Sequence, residues 1–236
     1  MIRNLLLIAL TAFAAASSSA VPVSLTKLTG LTGGTAAGTA VYKADLTAVG
    51  ISMVLSVGIS DNSIGIGGAP GQFSGFDLDA IKLSTTNCAD AACAKALVGL
   101  NVFDFGAGTA FTAGAQRATA DAKLFGTNGG GNAVDNTVAT LADFDGESST
   151  VTPGGFLSMG DNGVINFNLT SALSTAGLYL YIGEVGDNGE VAAGSIVVRD
   201  ATNLPEPATA ALVALGLLGA CTRRGRYGMH MPTAQR

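Results

Sequence analysis

Two short stretches of this chain carry carboxylates at spacings that chemistry can use. In FDLDAIKL, Asp77 and Asp79 stand two residues apart, which puts both on one face of a strand; in DFDGESS, Asp143, Asp145 and Glu147 alternate in the same way. Paired carboxylates can share acid and base work, as in a glycosidase, or offer hard oxygen ligands to a cation such as calcium. Asp77, Asp79, Asp143 and Asp145 are therefore the candidate cation-binding residues. The plainer expectation is a solvated strand face and a polar turn, because the glycine of DFDGE falls too early for an EF-hand loop.

Other reactive groups are scarce. The chain has a single histidine, His230, close to its C-terminus. No His-based triad, His metal cage or His general base is thus available to the body of the protein. The spaced signatures G-x-S-x-G, G-x-x-x-x-G-K-[ST] and H-E-x-x-H are absent, and no convincing strand-turn-helix G-x-G-x-x-G occurs. The expectation is a protein that is not an enzyme and needs no cofactor. Cys88 and Cys93, in TTNCADAACAKAL, are close enough in sequence for a local disulfide, which would pin a loop more than hold a fold. Two thiols without histidine make zinc a poor fit, and Cys221 sits at the end of an apolar run.

These residues need elements to hold them. Ile165, Phe167 and Leu169 alternate with Asn166 and Asn168, and Leu178, Leu180 and Ile182 alternate with Tyr179, Tyr181 and Gly183, both at the period of a strand. GISMVLSVGIS, GFDLDAIKLS, ALVGLNVFDF and AGSIVVRD are further strand candidates, and the shift of apolar phase between Leu78 and Ile81 predicts a β-bulge or an edge. One helix is expected over 90–97. GDNG occurs at 160–163 and again at 186–189, each time between strand-like runs, and reads as a hairpin turn built on positive φ; a calcium loop is the competing reading. Tyr179 and Tyr181 could form a sugar-stacking platform or simply pack. The fold class predicted is all-β, an antiparallel β-sandwich or jelly-roll-like single domain over 41–200, behind a Thr/Gly-rich lead-in at 21–40.

Charge divides the chain. Of 12 basic residues, Arg3, Arg223, Arg224, Arg226 and Arg236 lie at the ends, as does Glu206 among 17 acidic ones, so the middle carries 7 cations against 16 anions. Nucleic acid is not an expected partner of so anionic a body. The opening MIRNLLLIALTAFAAASSSA has one cation, an apolar stretch and small residues at Ser18 and Ala20, the build of a signal peptide over 1–20 with the mature chain starting near Val21. At the other end, Pro205 and Pro207 hold NLPEP, within a linker over 201–207, as a stiff extended peptide. The uncharged run 208–222 follows, a transmembrane helix of marginal length for a hydrocarbon core of ~30 Å. Arg223, Arg224 and Arg226 then form the membrane stop of a basic cytoplasmic tail over 223–236, placing everything before the helix on the far side.

The order Pro205, Glu206, Pro207, short apolar helix, arginine cluster resembles the PEP-CTERM sorting signal of exopolysaccharide-producing Gram-negative bacteria. The resemblance spans roughly residues 204–226. It implies that an exosortase-type membrane protease is a partner, that Pro205, Glu206 and Pro207 are the sorting motif it reads, and that the tail is removed. The localisation implied is export through an inner-membrane intermediate to the cell surface or to the extracellular matrix of a biofilm. Exopolysaccharide is then an expected partner, as is the membrane, through the C-terminal helix, before processing. The expected role is structural or adhesive; the alternative is a carbohydrate- or calcium-binding β-sandwich module at the cell surface.

Overall fold

The structure is a computed structural model and describes residues 19–34, 38–62, 69–149, 151–190 and 195–202. All but the last two residues of the segment 1–20 expected as a signal peptide, and the Pro205-Glu206-Pro207 motif, the apolar run 208–222 and the arginine cluster, lie outside the described residues. Among the described residues no helix is long and apolar enough to cross a membrane.

The regular structure of the described chain is mostly strand, in two antiparallel sheets. The strands are β1 (Ala20–Pro22), β2 (Thr26–Lys27), β3 (Thr39–Asp45), β4 (Met53–Ser60), β5 (Asp77–Ser84), β6 (Thr109–Thr112), β7 (Leu157–Ser158), β8 (Val164–Ser174), β9 (Tyr179–Val185) and β10 (Ser195–Arg199). One five-stranded sheet runs β1-β10-β4-β8-β6 and the other β2-β3-β9-β5-β7. Helical structure is confined to short pieces, among them α1 (Ala91–Ala96) and α2 (Asn136–Ala139). The alternating runs explain the layering: Ile165, Phe167 and Leu169 of β8 and Leu180 and Ile182 of β9 enter one shared core with Val57 and Ile59 of β4 and Leu83 of β5. Each sheet thereby buries a face against the other. A second cluster, with Val41, Ala80, Phe144, Tyr181 and Cys88, lies across the opposite face of the β5-containing sheet, under α1 and the loop that follows α2.

The predicted bulge is present, because the pairing of β5 with β9 slips between Leu78 and Ile81. Elsewhere the structure differs from the pattern. ALVGLNVFDF supplies the end of α1 and a coil that pairs with β8 through an isolated bridge from Phe103 to Leu169 and packs Phe103 and Phe105 on Phe167, since α1 consumes its first residue and Leu97 caps the helix. Neither GDNG is a hairpin: the first links β7 to β8 and the second β9 to β10, and each pair is divided between the two sheets. The positive φ is nevertheless there, at Asn162 and at Asp187. Two short edge strands, β1 and β2, lie within or beside the segment expected as a lead-in.

Candidate functional site

β5 carries the first pair of candidate acids, and every one of its residues is buried. The expected solvated face does not exist, because β5 lies inside its sheet and is roofed by the 140–147 loop, whose Leu141 carbonyl accepts from the Ile81 N–H at 3.0 Å. Asp79 is fully buried and works as a staple for that loop. Its carboxylate accepts from the N–H groups of Asp145 at 3.1 Å and Gly146 at 2.9 Å, and from the Thr39 hydroxyl. Burial pushes its carboxyl up to about 7 against the pull of those three donors. Asp143 and Asp145 are exposed. Asp145 accepts from the Thr140 hydroxyl at 2.7 Å, and Asp143 lines a shallow pocket of about 370 Å³ beside Lys82. What Asp79 meets in the loop is backbone, so the structure does not assemble Asp77, Asp79, Asp143 and Asp145 into one cation site.

Asp77 belongs to a different group. It accepts from the Ser158 hydroxyl on β7 and lines a cleft of about 270 Å³ together with Phe73, Phe156 and Asn188. Its neighbours in charge are Asp61, Glu184 and Glu190. The four are 5%, 6%, 0% and 2% exposed, reading Asp61, Asp77, Glu184, Glu190. Glu184 continues the inward alternation of Leu180 and Ile182 on β9, and in register it faces Leu78, the residue after Asp77. Both GDNG turns meet this cluster. In the first, Asn162 donates its N–H to Asp61 at 3.2 Å; in the second, Asn188 donates its N–H to Glu184 at 2.9 Å and accepts from the Glu190 N–H at 3.2 Å.

Burial moves the protons of three of these acids. Desolvation comes first in each case: it raises Asp77 well above the carboxylate range, Glu184 to about 7 and Glu190 to about 9, the last helped by the charges of Asp77, Asp61 and Glu184. Two described cations pull the other way: Arg117, 3.3 Å from Asp161, lowers Asp77, and Lys27, paired with Asp187, lowers Glu184. Glu184 Oε2 and Glu190 Oε1 are buried without a hydrogen-bond partner.

The cysteines form a separate structural unit. Cys88 and Cys93 are joined as a disulfide with a Cα–Cα distance of 5.6 Å, and Asp90 caps α1 by accepting from the Cys93 N–H at 2.7 Å. Tyr181 lies beneath, fully buried, donating its hydroxyl to the Thr86 carbonyl at 2.6 Å and accepting from the Cys88 N–H at 2.9 Å. Tyr179 is partly buried, with the Lys43 ammonium 5.8 Å from its ring centre. These tyrosines therefore pack and pin; they do not present a platform.

Sequence reasoning found Asp77 and missed Asp61, Glu184 and Glu190. The signal was in LYLYIGEV, where the position due to be apolar after Leu180 and Ile182 is a glutamate, and in the doubled GDNG, whose second copy runs directly into Glu190. Among the described residues no three acidic, cysteine or histidine side chains already converge as a metal-ligating group. No family model matches this chain, and neither a curated protein nor a solved structure is found to match it.

Proposed function

We propose that this chain is an exported, non-enzymatic β-sandwich protein, delivered by a PEP-CTERM-like tail to the cell surface or exopolysaccharide matrix, where it acts structurally or adhesively. The observation that carries the reading is the agreement of the two ends. A leader of signal-peptide build and an apolar run closed by Arg223, Arg224 and Arg226 both require the body between them to lie outside the inner membrane. The bonded pair Cys88 and Cys93 supports it, since such bonds persist in oxidising compartments. The first and last described strands, β1 and β10, lie side by side at one edge of one sheet.

Fractionation tests this. Cells expressing the chain are compared with cells expressing one in which Pro205, Glu206 and Pro207 are replaced by alanine. The native chain is expected in the surface or medium fraction with its tail cut, the variant in the inner membrane with its tail intact. Identical distribution and identical tail processing would count against the sorting role.

A further inference from the structure

We propose that the cleft over Phe103 and Phe105 binds a neutral, β-linked glucan chain. The inference names an adhesive contact for the reading above, but it stands on the cleft and not on the sorting signal. Two shallow cavities, of about 370 and 540 Å³, share Phe103 and Phe105 as lining residues, and each falls within the ~300–1,000 Å³ usual for ligand sites. The two phenyl rings are partly buried and lie 17° from parallel, with centres 5.7 Å apart. Each stands nearly perpendicular to the ring of Phe167, which is fully buried in the core. The chain that carries them is tied to both sheets. The Leu100 N–H donates to the Leu83 carbonyl of β5 at 2.8 Å, while the Val102 and Gly108 carbonyls accept from the Thr170 and Asn168 N–H groups of β8, each at 2.8 Å. Asp104 closes the following turn by accepting from the N–H groups of Gly106 at 2.9 Å and Gly108 at 3.0 Å. The rings are therefore a preset surface, and a ligand has little left to order.

The polar groups around the rings decide the class of ligand. Asn101 and Asp143 line the first cavity, both are exposed, and among the described residues their side chains make no hydrogen bond. Asp104 and Asp135 line the second, and a carboxylate keeps spare lone pairs after the bonds these two accept from Gly106, Gly108 and Thr137. A hydroxyl-rich ligand supplies the donors such acceptors need. Lys82, the cation of the cleft, spends its ammonium on the Lys95 and Leu97 carbonyls and lies 5.1 Å from the centre of the Phe144 ring. Three carboxylates beside one engaged ammonium repel a uronate chain or a nucleic acid. The negative face of a phenyl ring attracts the apolar, weakly positive C–H face of a sugar, and a β-glucosyl unit, with every ring hydroxyl equatorial, presents axial C–H on both faces. Val98 and Leu100, 94% and 37% exposed, extend the apolar lining beside Phe103. A purely apolar peptide would cover the carboxylates without supplying donors, and a second copy docked through the same face would bring the same three acids together.

The test titrates the purified full-length chain by calorimetry with cellotetraose and with laminaritetraose, and with tetragalacturonate as the anionic comparison. At least one neutral tetrasaccharide is expected to bind at one site per chain with Kd below about 1 mM, unchanged between low and high salt. Saturating the phenyl protons by NMR is expected to transfer magnetisation to the sugar C–H protons. Phe105→Ala is expected to weaken binding about tenfold. Should that variant not fold, Asn101→Ala combined with Asp143→Ala takes its place, with an about tenfold loss at an unchanged thermal midpoint, because neither side chain holds a hydrogen bond in the fold. No heat from either neutral sugar, tighter binding of tetragalacturonate, or an undiminished response in the variants would each overturn the proposal. So would a dimer in light scattering that excludes the sugar and that Val98→Asp disperses. Because every readout is on purified protein, failure of the sorting reading shows in the fractionation and not here.

Discussion

Glu184, Glu190 and Asp79 give the folded protein an unusual dependence on protons. A carboxyl whose value is raised on folding holds its proton better in the native chain. Its stabilising contribution is complete below the ordinary value of 3.8 for Asp or 4.5 for Glu, and is lost as pH rises to the folded value, about 7 for Asp79 and Glu184 and about 9 for Glu190. Asp45 and Asp135 run the other way. Hydrogen bonds from Thr47 and Thr137 hold them below the usual range, so their contribution is lost as pH falls below about 4, but both are exposed to solvent and weigh little. In EDTA the thermal midpoint should therefore be highest near pH 4–5 and decline steadily toward pH 9. A profile that instead rises from pH 5 to pH 8 would show that the buried acids are compensated in a way the present contacts do not provide.

At the scale of elements, the turns and the α1 loop carry separable predictions. Gly160, in the first GDNG, has φ of 75°, and a Cβ there would stand 2.7 Å from the Gly114 backbone. Gly160→Ala thus meets both a left-handed backbone and a wall of main chain, and is expected to cost more than about 2 kcal/mol in denaturant unfolding. Replacing Cys88 and Cys93 together by serine removes a link closing only a short loop, so about 2 kcal/mol is expected, with the sheets intact by circular dichroism. Much of this layer was readable in the chain. Alternation in β8 and β9, the phase slip of β5 and the helix expected over 90–97 are local signals, and each appears where its residues put it. Which sheet a strand joins is not local: nothing in GDNG distinguishes a hairpin from a crossing between sheets, because the same positive φ serves both. The burial of Asp77 and Asp79 was hidden for a similar reason, since the loop that covers Asp79 and the strand whose Ser158 bonds Asp77 both lie more than sixty residues along the chain.

As a whole molecule, the protein is a small-residue β body of net negative charge that also buries several carboxyl groups. Its net charge of −5 understates this, because most of the cations outside the body sit in the tail. The described body opens and closes its chain at the β1 and β10 edge, where Val21 pairs with Val198, so the proposed cut near Val21 would leave Val21 and Pro22 in register with β10. β1, three residues long, is the outer strand of that sheet, and so short an edge offers few backbone groups for pairing with other chains. The most direct measurement of the central claim is the intact mass of the protein recovered from the surface fraction. The account predicts a chain starting near Val21, ending before the arginine cluster, and lighter by two hydrogens at Cys88 and Cys93. A mass equal to the uncut 236-residue chain, recovered from the cytosol with both thiols free, would contradict it.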